Sequence, residues 1–322
     1  MRFINVCGND AHDTTSGNRK QLRGRFLIVM RLIVHKLRSM HFMLTTLLLA
    51  MLVISNGCFS AGGKSVGLLS ALNGQKQAPL TAEQITKQLR LAEKKRGEQS
   101  ANGVIFEFER DVVIEDFDGK GDLTRRQTRR FQSFTDHRIP VLLMHDGKEP
   151  TPEQIEKEHR EIKKNQIKFL GNGNSSETDV ENDANLILRQ IEQYGDRFTP
   201  RLIGEESING RPAYIMQYLF NATKRFDDPL VNLVLKHLLI KVWIDREEFH
   251  IAKIDAELAN PLYALGGLAA KLNSFKLTAY QKRLTPNFWV DSKVDARIHG
   301  RVLWETKSIH FRSESTDYKL LK

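Results

Sequence analysis

From residue 198 onward the chain is a succession of strand-like segments separated by tight turn signals, and no other feature constrains the fold as much. Segments 198–207 and 211–220 flank Asn209-Gly210. That pair is the strongest short hairpin signal, because both central residues of the favoured two-residue turn need positive φ. Segments 240–245 and 249–258 flank Arg246-Glu247-Glu248, which predicts a second hairpin. Segments 273–284, 288–298 and 301–311 are joined by a Thr285-Pro286-Asn287 turn and a His299-Gly300 turn. Connections this short join antiparallel neighbours, as in a meander.

Side-chain alternation assigns faces. In 288–298, Phe288, Val290, Val294, Ala296 and Ile298 share one parity, and Asp291, Lys293, Asp295 and Arg297 the other, which predicts one buried face and one wet face. In 214–220 both parities are apolar, which predicts a strand covered on both sides.

Upstream, two helices announce themselves by the same start signal. Thr81-Ala-Glu-Gln84 and Thr151-Pro-Glu-Gln154 are capping boxes, with Leu80 and Ile85 placed as a hydrophobic staple and Pro152 at the first helical position. Ile85, Leu89 and Leu91 give the first helix its apolar side, and the second helix is mostly charged. Between them lie strand patterns at 103–114, 123–134 and 138–145. The polar run 171–184 reads as an insert, followed by a short helix at 185–194. Helix, three strands, helix, many strands is an α+β order. The expected architecture is one large curved antiparallel sheet of about ten strands, a half-open β-barrel with helices covering its concave face.

The first 60 residues read as an address. Residues 42–54 form an apolar run of 13, the length of a secretory h-region and short of the roughly 20 a spanning helix needs. Arg31, Lys36 and Arg38 precede it, and small residues follow. Cleavage after Gly57 would leave Cys58 to be lipidated and the protein membrane-anchored, whereas cleavage after Ser60 would be plain secretion; both routes fit. The division expected is an upstream extension plus signal at 1–60, a Gly-rich linker at 61–80 and one domain at 81–322.

The whole chain carries 49 Lys+Arg and 39 Asp+Glu, but +6 of its +10 net charge belongs to residues 1–60. A nucleic-acid binder carries its positive charge on the folded part, so that class is set aside. Neither H-E-x-x-H nor a phosphate-binding loop occurs, so neither an enzyme nor a cofactor protein is expected. Asp116, Asp118 and Asp122 around Gly119 and Gly121 hint at a calcium loop. Lys120 stands where a ligand belongs, however, and a hairpin turn is the expectation.

Residues 204–216 (GEESINGRPAYIM), Lys241-Val-Trp-Ile-Asp245 with the hairpin that follows, and Phe288-Trp289 resemble segments of the outer-membrane lipoprotein-sorting, LolA-like family. The resemblance covers roughly residues 100–320. It implies an exported, non-enzymatic periplasmic carrier that shields acyl chains of lipids or lipoproteins between sheet and lid. The alternative it implies is an envelope protein-interaction or stress-sensor module with the same fold. On that reading Phe106, Phe108, Tyr214, Met216 and Tyr218 line the acyl cavity, and 261–272 (Leu262, Leu265 and Leu268 beside Gly266-Gly267) is its cover. The expected partners are acyl chains and the envelope membrane surface.

Overall fold

The structure is a computed structural model and describes residues 80–100, 105–135, 138–170, 197–225, 229–264, 270–286, 288–302 and 304–321. The address at 1–60, Cys58, the 171–184 insert, the 185–194 helix, Leu265 and Leu268 lie outside the described residues, as does the linker up to residue 79.

Three helices are described: α1 (Ala82–Ser100), α2 (Pro152–Leu170) and α3 (Pro229–Lys236). Both predicted capping boxes form. The Thr81 N–H donates to Gln84 Oε1 at 2.8 Å and the Gln84 N–H to Thr81 Oγ1 at 3.3 Å. The same pair of bonds joins Thr151 and Gln154 at 2.9 and 3.3 Å. Each box satisfies two backbone donors that a helix start leaves open.

The eleven described strands are β1 (Phe106–Phe117), β2 (Leu123–Phe134), β3 (Val141–His145), β4 (Phe198–Ile208), β5 (Arg211–Phe220), β6 (Leu238–Asp245), β7 (Ile251–Leu258), β8 (Leu262–Ala264), β9 (Ala270–Thr285), β10 (Phe288–Val302) and β11 (Glu305–Leu320). They make one antiparallel sheet in the order β3-β2-β1-β11-β10-β9-β7-β6-β5-β4, with β8 paired to β9 beyond the end of β7. β3 and β4 are the two open ends of the order. The α+β order and the large antiparallel sheet are as expected. The β4–β5 turn is the predicted Asn209-Gly210 pair, at φ 51° and 81°. In the β1–β2 turn Asp118 Oδ1 accepts the Lys120 and Asp122 N–H groups, so that carboxylate builds the hairpin.

Four local expectations need correction. β10 does not turn at His299-Gly300; it runs on to Val302. Gly300 sits at a register irregularity where a Cβ would lie 2.9 Å from the Lys271 carbonyl oxygen, so this glycine serves close strand approach and not a turn.

The second correction concerns the faces of β10. Val290 pairs with Lys282 and Val294 with Ala279, so five residues of β10 match four of β9. A one-residue slip exchanges faces. Val294, Ala296 and Ile298 therefore join the main core, whereas Phe288 and Val290 join a separate cluster with Phe106. Third, β5 is not covered equally on both sides: Tyr214 and Met216 are buried, Ile215 is half-buried and Leu219 is exposed. Fourth, the mostly charged composition of helix α2 does not keep all of its charges in water. Glu158 is 6% exposed and pairs with Arg129 of β2 at 2.9 Å.

Candidate functional site

Within the main core, one face of the sheet carries a continuous apolar surface from β5 to β10. Met216, Ile244 and Leu277 lie at its floor with no solvent exposure. α1 closes it by inserting Ile85 and Leu89, with Leu80 and Ala82 packed alongside. Those positions recur at helical spacing, so over residues 82–92, whose side chains are described, one narrow stripe of α1 meets the sheet. Leu91, which the sequence placed on the same side, is 51% exposed. α3 adds Leu235 to the same cluster.

Of the residues proposed as cavity lining, Tyr214, Met216 and Tyr218 come together here. Tyr214 stacks on Phe249, ring centroids 6.4 Å apart. Burial pushes the Tyr218 phenol's pKa up, against the opposing pull of Thr86 and Arg90 on α1. Phe106 and Phe108 stand apart from them. Phe106 packs on Phe288 at 4.7 Å beside Val290, and Phe108 on Tyr318 at 5.4 Å. The slip in β10 separates the two groups, a feature no parity count along one strand reveals. Leu262 is buried in β8, opposite Leu272 of β9. The two described ends of the expected cover thus pair with each other, Leu272 packs against the main core, and α1 packs on the same apolar face.

The same slip builds a polar site that the sequence reading missed. Asp291, assigned to the wet face, is 3% exposed. Its Oδ1 accepts a hydrogen bond from Gln281 Nε2 at 3.1 Å, and Gln281 Oε1 faces His250 Nε2, so a chain of buried groups runs from β10 through β9 to the start of β7. Arg110 Nη2 lies 3.9 Å from the other carboxylate oxygen, and Arg110 Nε donates to Ser315 Oγ at 3.4 Å. Burial holds the Asp291 carboxyl well above the usual carboxylate range, and Arg110 and Gln281 offset only part of that. The signal available in sequence was Phe288-Trp289-Val290, apolar on both parities just before the slip.

A second polar anchor closes the β6–β7 turn. Arg211 binds the buried Asp245 through two bonds of 2.6 and 3.0 Å, and the N–H groups of Glu247 and Glu248 donate to Asp245 Oδ1. Burial alone would raise this carboxyl's pKa. Arg211 and the backbone donors outweigh it and bring the pKa below the usual value. Among the described residues, no three His, Cys, Asp or Glu side chains are grouped to hold a metal ion. Among them also, no helix is long and apolar enough to cross a membrane.

Several solved structures align with about three quarters of this chain, at low identity and low TM-score. A LolA superfamily protein from Nitrosomonas europaea aligns at 10% identity and a TM-score of 0.28, over 76% of this chain and 95% of that one. A putative outer membrane lipoprotein-sorting protein domain from Vibrio parahaemolyticus aligns at 11% and 0.25, over 74% and 94%. The MucA/MucB complex of Pseudomonas aeruginosa aligns at 10% and 0.22, over 73% and 94%. No family model and no curated protein matches the sequence.

Proposed function

We propose that this chain is an exported, non-enzymatic carrier that takes acyl chains of lipids or lipoproteins onto the apolar face of its open sheet, with α1 as a displaceable cover on the concave side. The expected export signal at 1–60 and the hairpins that resemble the lipoprotein-sorting family support a periplasmic setting for such a carrier. The observation that carries the reading is the narrowness of the α1 contact over residues 82–92, the part of the helix whose side chains are described. Ile85 and Leu89 are its deepest anchors above a floor of Met216, Ile244 and Leu277. Burying two such side chains is worth about 3–6 kcal/mol. An acyl chain of about 16 carbons is worth about 12 kcal/mol at ~0.8 per CH₂. Hydrocarbon therefore competes well for the face that α1 covers, and no reactive group is needed.

The test is native extraction of the processed protein followed by mass spectrometry, together with displacement of a fluorescent fatty-acid probe. Co-purifying lipid, or probe binding that added lipid reverses, is the expected result. Neither lipid nor probe binding overturns the carrier reading. A stoichiometric protein segment captured without lipid assigns the face instead to an envelope protein-interaction or sensor role.

A further inference from the structure

One end of the sheet carries aromatic groups on its surface where a folded chain ordinarily hides them. Trp304, in the turn between β10 and β11, is 84% exposed. Tyr263 of β8 is 53% exposed. Tyr263 pairs with Lys271, Lys271 with Arg301 and Arg301 with Thr306, so a row that begins at Tyr263 ends two residues from Trp304. The Lys271 ammonium lies 5.1 Å from the centre of the Tyr263 ring. Beyond Thr306, Lys307 is exposed and pairs with Glu305 at 2.9 Å. The β1–β2 turn flanks this end, since a Cβ on Gly119 would lie 3.2 Å from Thr306 Cβ. That turn adds an exposed Leu123 together with Lys120, Asp118 and Asp122.

We infer that this end of the sheet is a bilayer-docking edge, with Trp304 and Tyr263 seated at the headgroup level of an anionic membrane and Lys271 and Arg301 against its phosphates. Three features select a lipid surface. Tryptophan and tyrosine are the residues that settle at the membrane–water boundary, because each joins an apolar ring to a polar edge. Each basic residue near an anionic leaflet adds roughly 1 kcal/mol of attraction. The row from Tyr263 through Lys271 and Arg301 to Thr306 carries two bases and no acid, Lys307 and Glu305 beside it pair with each other, and the flanking turn sets Lys120 against Asp118 and Asp122, so the positive charge that complements that leaflet is concentrated on Lys271 and Arg301. Trp304 also stands out at a hairpin tip, the geometry that reaches into a soft interface. The inference does not need the apolar face to hold an acyl chain; it concerns where the protein touches a membrane.

The chain's three tryptophans make the test specific. Trp243 and Trp289 are buried, so vesicle-induced changes in tryptophan emission report Trp304. The full chain is mixed with phosphatidylglycerol–phosphatidylethanolamine vesicles containing brominated lipid. Residues 42–54 contain no tryptophan and do not report their own insertion, and the Lys271 and Arg301 replacements below separate docking of this edge from tethering through that run. The expected result is a blue shift and bromine quenching that vanish in Trp304→Ser and weaken on purely zwitterionic vesicles. Replacing both Lys271 and Arg301 by Gln, with melting temperature checked, is expected to weaken the quenching titration about thirtyfold. Emission that stays red and unquenched on anionic vesicles overturns the inference. So does bromine quenching that survives undiminished in Trp304→Ser.

Discussion

Truncating Ile85 to Ala tests whether α1 is a cover or a fixed part of the core. Ile85 is fully buried against the sheet floor. The substitution removes three carbons, about 2.4 kcal/mol at ~0.8 per CH₂. If α1 docks as a separable unit, that loss falls on docking alone and raises the undocked population about 50-fold. Hydrogen exchange of the α1 amides then accelerates by about that factor, while amides of β5 and β9 keep their protection. Fatty-acid probe affinity rises, because less work is needed to clear the face. Leu277→Ala is the contrasting variant, since Leu277 is equally buried but sits in the middle of β9. A cavity there costs about 3 kcal/mol and lowers the melting temperature by roughly 6–12 °C, whereas Ile85→Ala barely moves it. Equal melting shifts for the two variants, with exchange accelerated in β5 and β9 as much as in α1, would refute the separable cover.

Asp291→Asn is expected to gain stability relative to the wild type as pH rises. The folded-state pKa of Asp291 is raised, so its protonation favours folding below about pH 4, the unfolded value, and that contribution is lost as pH climbs through the folded pKa; denaturant midpoints that stay parallel between pH 4 and pH 8 contradict this. Arg211→Ala strands a buried carboxylate and is expected to cost about 3 kcal/mol at pH 7. Because the pKa of Asp245 is lowered by folding, that penalty shrinks as pH falls below about 4, and a penalty independent of pH in chemical denaturation rules the account out. Gly300→Ala drives a Cβ against the Lys271 carbonyl and is expected to lower the melting temperature by roughly 3–8 °C. Gly204→Ala, whose Cβ meets only the Ile215 side chain at 3.8 Å, serves as the near-neutral control in the same melting assay.

The sequence by itself determined whatever depends on neighbours a few residues apart. Thr81 with Gln84, Thr151 with Gln154, and Asn209-Gly210 each complete their hydrogen bonds or their φ angles locally, so their reading needed no fold. It also determined that the later half of the chain is meandering strand, because alternation and turn chemistry recur there. Only the tertiary structure decided which strands meet at a distance. β1 pairs with β11, and the slip between Asp291 and Lys293 turns one carboxylate inward and sends Phe288 and Val294 to different clusters. It likewise decided that Glu158 is buried and that α1 packs on the apolar face. These outcomes follow from burying apolar surface across the whole sheet, a collective choice that residue spacing along one strand does not encode.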